Sequence, residues 1–170
     1  MARHPATPTH LSDMQSRHMR ITMKRRAWEA IRSEVAAAPD DLETGGILLG
    51  KDTNGGVTIS VAGDPGPNAV HEPTRFLRDL NHAQRVAAAG WEHDQSVWVG
   101  EWHTHPRSNP VPSPIDIDSY LRHLADDELE FDCFISIIVS PSYEPAVAAC
   151  WVVTRDAATL TPLTIESDTA

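Results

Sequence analysis

The run Asp132–Ser140, DCFISIIVS, constrains the fold more than any other stretch of this chain. It is strongly apolar and β-branched, and it reads as a central strand. A central strand needs neighbours, and the rest of the sequence offers them. SVWVGEWHTH (96–105) reads as a strand before it and AVAACWVVTRD (146–156) as one after it. TGGILLG (44–50) reads as a buried strand, KDTNGG as a turn, and VTISVAG (57–63) as the returning strand. MRITM (19–23) reads as a first short strand, and TLTPLTIE (159–166), which contains proline, as an edge strand.

Three segments carry helical signals. KRRAWEAIRSEVAAAP (24–39) places Trp28, Ile31 and Val35 at helical spacing, and Pro39 stops it. NHAQRVAAAGWEH (81–93) is a second helix. SPIDIDSYLRHLAD (113–126) opens with serine followed by proline at the first helical position, so a third helix starts there. DPGPNAVHEPTRF (64–76) reads as a Pro/Gly loop suited to recognition. The order predicts an α/β (α+β) domain over residues 19–166, a mixed β-sheet flanked by helices. Residues 1–18 are polar and aperiodic and are expected to be a flexible N-terminal segment.

Composition narrows the function. A formal charge of -10 argues against general affinity for nucleic acid. No apolar run approaches a membrane span and no signal segment is visible. Cys133 and Cys150 lie in apolar strands without metal-ligand spacing. They read as small buried hydrophobes in a reducing, cytoplasmic setting.

The chemistry concentrates in EWHTHPRSNPVPSPIDIDSY, residues 101–120. Residues two apart on a strand share a face, so His103 and His105 point the same way with Cα atoms about 7 Å apart. Two imidazoles so placed can converge on one ion. Asp116, in the first turn of the third helix, could return toward them as a third ligand. Two histidines and a carboxylate leave a fourth tetrahedral position for water, the pattern of a catalytic zinc site. A blander reading stays open: S-x-x-D is also a capping box, and histidines near a strand end are often only solvated. Glu101 shares the histidine face and competes as base or ligand. Asp118 lies about 200° around the helix from Asp116 and faces away. His71, His82, His93 and His123 lack partner spacing and read as solvated. Trp98 and Trp102 share the opposite face of the histidine strand and read as core.

HTHP followed by SPID resembles the signature of the JAMM, or MPN-plus, zinc metalloproteases. That signature is H-x-H, ten intervening residues and D, with a serine three before the aspartate. His103, His105, Ser113 and Asp116 fit each position, and Gly100 stands three before the first histidine. ETGGILLG supplies the family's upstream glutamate, Glu43, followed by Gly46 and Gly50. Together with GEWHTHP it looks most like the bacterial Prok-JAB branch. That branch includes peptidases of CBASS antiphage operons and of ubiquitin-like conjugation systems.

The resemblance implies a JAB1/MPN-like (cytidine-deaminase-like) fold and a zinc ion on His103, His105 and Asp116. It selects Glu43 as the general base and Ser113 as donor to the oxyanion. The implied partner is a protein with a flexible, glycine-ending C-terminal tail, or its lysine conjugate. Processing of a sulfur-carrier or ubiquitin-like precursor is the alternative activity. A non-catalytic MPN scaffold and a RadC-like DNA-associated protein are readings of another class. RadC-like chains usually read HNHPSG and carry an N-terminal helix-hairpin-helix unit, whereas this chain reads HTHPRS.

Overall fold

The computed structural model describes residues 19–167. The expected flexible segment 1–18 lies outside the described residues. Ten strands and three helices run in the order β1 (Arg20–Lys24), α1 (Arg25–Ala37), β2 (Gly45–Thr53), β3 (Gly56–Ala62), β4 (Val70–Glu72), β5 (Arg75–Leu77), α2 (Leu80–Asp94), β6 (Val97–Thr104), α3 (Pro114–Ala125), β7 (Phe134–Ser140), β8 (Val147–Val153), β9 (Ala158–Thr161) and β10 (Leu163–Glu166). Eight strands form one mixed sheet in the order β10-β1-β3-β2-β6-β7-β8-β9, so the expected α/β architecture is the one observed.

Every residue of β7 is buried, which suits its place inside the sheet. Ile135, Ile137 and Val139 pack with Ala27 and Ile31 of α1 on one face. Phe134 packs with Tyr120 and Leu124 of α3 on the other. Ala83 of α2 joins Ile47 and Leu49 on that second face. The strands therefore need apolar side chains on both sides, which is why their sequences run apolar rather than alternate.

TLTPLTIE is not one edge strand but two. Thr161 ends β9 against β8, and Leu163 begins β10 against β1, at opposite ends of the sheet order. Pro162 alone separates them, so the two edges of the sheet must curl toward each other there. Proline has no N–H to continue a ladder, and the break falls on it. The α1-side cluster accordingly draws side chains from β1, β2, β3, β6, β7, β8 and β10. Ala27 and Ile31 of α1 are buried within that cluster.

Trp98 and Trp102 do not share a face. Leu48 pairs with Gly100, but Leu49 pairs with Trp98, so Val99 is an extra, unpaired residue in β6. One extra residue reverses the alternation. Trp102 therefore joins the α1-side cluster, whereas Trp98 packs edge-on to Phe131 and Phe134 beside α3. From Glu101 onward alternation is regular, so Glu101, His103 and the following His105 lie on the α2/α3 face.

The segment 64–76 is more than a loop. Val70–Glu72 and Arg75–Leu77 pair as a short antiparallel hairpin outside the main sheet. Their three-residue lengths carry too little alternation to mark them as strands. No helix among the described residues is long and apolar enough to cross a membrane.

Candidate metal centre

β6 ends at Thr104, and His105 N still donates to Val139 O at 2.9 Å before the chain leaves the sheet at Pro106. His103 and His105 thus project from the last ordered ladder positions. Ser113 caps α3: its hydroxyl accepts from Asp116 N at 3.1 Å, and its own N–H donates to Asp116 Oδ2 at 2.7 Å. This capping box fixes the Asp116 carboxylate in the first turn.

The carboxylate meets the histidines. His103 Nε2 lies 3.1 Å from His105 Nε2 and 3.4 Å from Asp116 Oδ1, and His105 Nε2 lies 3.2 Å from Asp116 Oδ2. Bonds of about 2.0–2.2 Å at tetrahedral angles put neighbouring donor atoms about 3.3–3.6 Å apart. The observed separations fall close to that spacing, so this donor set fits a zinc ion. Asp118 pairs instead with Arg122 on the exposed side of α3.

The tautomer of His105 is set by the loop between β6 and α3. Its Nδ1 lies 3.0 Å from the carbonyl of Asn109, which can only accept, so Nδ1 carries a proton and the neutral ring would present its Nε2 lone pair to an ion. The neighbouring carbonyls are also engaged. Ser140 Oγ donates to Ser108 O at 2.6 Å, and Trp151 Nε1 donates to Pro110 O at 2.9 Å. Three consecutive carbonyls are thereby anchored by His105 just past β6, by β7 and by β8, and the loop delivers Asp116 from a fixed base.

Glu43 precedes β2. Thr44 N donates to Thr104 Oγ1 at 3.0 Å and Thr104 N to Thr44 O at 2.9 Å, which extends the β2–β6 pairing beyond Gly45 and His103. Glu43 therefore falls on the histidine side of the ladder. Between them stands Gly45, where a Cβ would sit 2.3 Å from the Trp102 carbonyl and 2.9 Å from His103 Cβ. Only glycine lets the strands close around the histidine.

Burial sets the electrostatics. Burial raises the Glu43 carboxyl above the usual range, a shift that the charges of His103 and His105 only partly reverse. Burial also opposes ionisation of Asp116, but hydrogen bonds from both histidines outweigh it and hold this carboxyl far below the ordinary value. His103 loses solvation, yet Asp116, Glu101 and Glu43 together keep its pKa raised. Three carboxylates around two imidazoles make a pocket for a cation.

Two residues at the site carried no sequence signal. His71 lies 2.9 Å from the Glu43 carbonyl, and Arg78 pairs with Glu101 at 2.8 Å. Both come from the hairpin segment, whose position depends on tertiary packing. His71 and His123 are thus not merely solvated; His123 stacks edge-on against Trp98 and Phe134. Both cysteines are free thiols, and burial pushes Cys133 up to about 11 and Cys150 up to about 12.

A family model described as prokaryotic homologs of the JAB domain matches residues 24–156. The chain belongs to the Prok-JAB family. Over 89 residues this Prok-JAB chain is 32% identical to a CD-NTase/cGAS isopeptidase of Vibrio cholerae, covering 51% of this chain and 56% of that one. Over 99 residues it is 34% identical to a CD-NTase/cGAS isopeptidase of Pseudomonas aeruginosa, covering 55% of this chain and 61% of that one. The chain thus spans somewhat over half the length of these curated relatives. The solution structure of protein DSY2949 from Desulfitobacterium hafniense superposes with a TM-score of 0.66 over 87% of this chain and 94% of that one. At 19% identity that likeness concerns the fold alone.

Proposed function

We propose that this Prok-JAB chain is a zinc-dependent isopeptidase that detaches a conjugated protein tail from a lysine amine. The carrying observation is the convergence of His103 Nε2, His105 Nε2 and the Asp116 carboxylate at separations close to those of a tetrahedral zinc's donors. The names of the relatives support an isopeptide bond, and a CD-NTase as the conjugated protein. Such a role belongs to antiphage defence of the CBASS type. The same support weighs against a non-catalytic scaffold.

His103, His105 and Asp116 would hold the zinc, which would supply Lewis acidity and lower the pKa of water at the site to about 7. The chain's own groups then move protons. Glu43, buried and raised, accepts a proton from the attacking water and returns it to the departing lysine nitrogen as the C–N bond breaks. Ser113 Oγ accepts from Asp116 N, so its own O–H is free to donate to the scissile carbonyl oxygen as that oxygen gains charge.

Glu43, His103 and His105 are only 7%, 3% and 5% exposed. A scissile carbonyl must therefore enter on a thin, extended segment, and glycine beside it permits the closest approach. This supports a glycine-ending tail as the substrate. An extended tail fits as an added strand beside the β4–β5 hairpin, held by main-chain hydrogen bonds.

The test joins metal analysis to cleavage. Wild-type protein should carry one zinc and His103→Ala almost none. Zinc-loaded protein should cleave a Gly-Gly-ended tail from a lysine and spare one ending in leucine or tryptophan. Equal zinc in the two proteins sinks the site, cleavage that survives chelation sinks the zinc mechanism, and indifference to the terminal residue sinks the tail model.

A further inference from the structure

Glu101 faces the site without joining its donor set. The three residues whose ligand atoms converge are His103, His105 and Asp116. Glu101 stands at the other nitrogen of the imidazole: its Oε1 lies 3.6 Å from His103 Nδ1, while Nε2 points to Asp116. The ring therefore separates the Glu101 carboxylate from the place where an ion would sit. His103 Nδ1 is buried and has no hydrogen-bond partner among the described residues.

The second oxygen of Glu101 is committed. Oε2 accepts from Arg78 Nη2 at 2.8 Å, and both side chains are only 18% exposed. Arg78 follows directly on β5 and lies over the Trp98 ring, 5.4 Å from its centroid. Trp98 takes that place only because the Val99 bulge turns it away from Trp102. The bulge, the hairpin and the ion pair thus combine to aim one carboxylate oxygen at His103 Nδ1.

We propose that Glu101, held by Arg78, is a positioning residue for His103, drawing the ring proton to Nδ1 so that Nε2 offers its lone pair. The inference rests on the metal site of the proposed function. An imidazole that commits one nitrogen to a metal almost always donates its other N–H to a carboxylate, a carbonyl or water, and loss of that partner typically weakens metal binding 10–100-fold. A 3.6 Å separation is longer than a formed hydrogen bond. A small shift of the ring or carboxylate closes it once the proton sits on Nδ1. His105 is already supplied by the Asn109 carbonyl, so each histidine has its own acceptor of a different kind.

The experiment measures zinc affinity by competition with a chelator for full-length wild type, Glu101→Gln, Glu101→Ala and Arg78→Met. Nitrogen-15 spectra of the imidazoles in the zinc-loaded proteins read the tautomer of His103. Wild type should bind one zinc with an Nδ1–H on His103. Glu101→Ala should bind about 10–100-fold more weakly. Glu101→Gln, which keeps an acceptor oxygen without the charge, should fall between. Arg78→Met frees the carboxylate and should also weaken binding, and it serves where a Glu101 variant does not fold. Unchanged affinity together with an unchanged His103 signal in the variants overturns the positioning role and leaves the zinc site standing. A wild type that binds no zinc overturns the metal site itself and this inference with it.

Discussion

His71 Nδ1 lies 2.9 Å from the main-chain carbonyl oxygen of Glu43, and the Glu43 N–H donates to Glu72 O at 2.9 Å. Both main-chain groups of Glu43 are thus held by strand β4. A carbonyl only accepts, so His71 carries its proton on Nδ1. The hairpin fixes the backbone from which the proposed base projects.

Glu43→Ala should keep zinc and fold but lose about 10²-fold or more in turnover, because a general base acts on water without holding the ion. His71→Ala should lower turnover by about 10-fold to 10²-fold at unchanged zinc content, since misplacing a reacting group is costly. Steady-state kinetics at saturating zinc check both. If Glu101→Ala is inactive under those conditions while Glu43→Ala turns over normally, the base is the wrong glutamate.

Ser113 has two separable duties. As N-cap of α3 its loss in Ser113→Ala should cost about 1 kcal/mol of stability, read from urea unfolding. As oxyanion donor its loss should cost about 10²–10³-fold in turnover. A few-fold fall in turnover that tracks the stability loss would leave it as a cap alone.

His123 should make stability sensitive to acid. Burial is the main cause that lowers its pKa, and the nearby Arg78 charge adds to it. The folded chain therefore keeps His123 neutral at pH values where the unfolded chain, with a pKa of about 6.5, is protonated. Its contribution is intact above about pH 6.5 and is lost as pH falls from there toward the folded pKa, by at most about 1.4 kcal/mol per pH unit. Urea midpoints of wild type and His123→Phe across pH 5–8 isolate this group, since other titrating residues are common to both. Parallel pH profiles would show that His123 plays no such part.

Short-range periodicity makes much of the site legible in the sequence. Alternation along a strand puts His103 and His105 on one face, and a serine followed by proline starts α3 so that Asp116 lies in its first turn. Each of these depends on neighbours within four residues, where covalent geometry dictates side-chain direction. The central placement of DCFISIIVS is legible for a similar reason, because an apolar β-branched run must be covered on both faces.

What the chain alone leaves open are relations between distant segments. Trp98 and Trp102 look equivalent by period, yet the Val99 bulge, visible only in the pairing of β6 with β2, sends them to opposite faces. Pro162 looks like an interruption in one edge strand, yet it joins the two ends of a curled sheet. Glu101 and Glu43 are both carboxylates on the histidine side of their strands. Only packing turns Glu101 toward His103 Nδ1 and Arg78, and ties the Glu43 backbone to β4. Local sequence determines which way a side chain points from its own backbone. Which nitrogen of a ring it meets, and which cation claims it first, is decided by elements brought together through burial of the core.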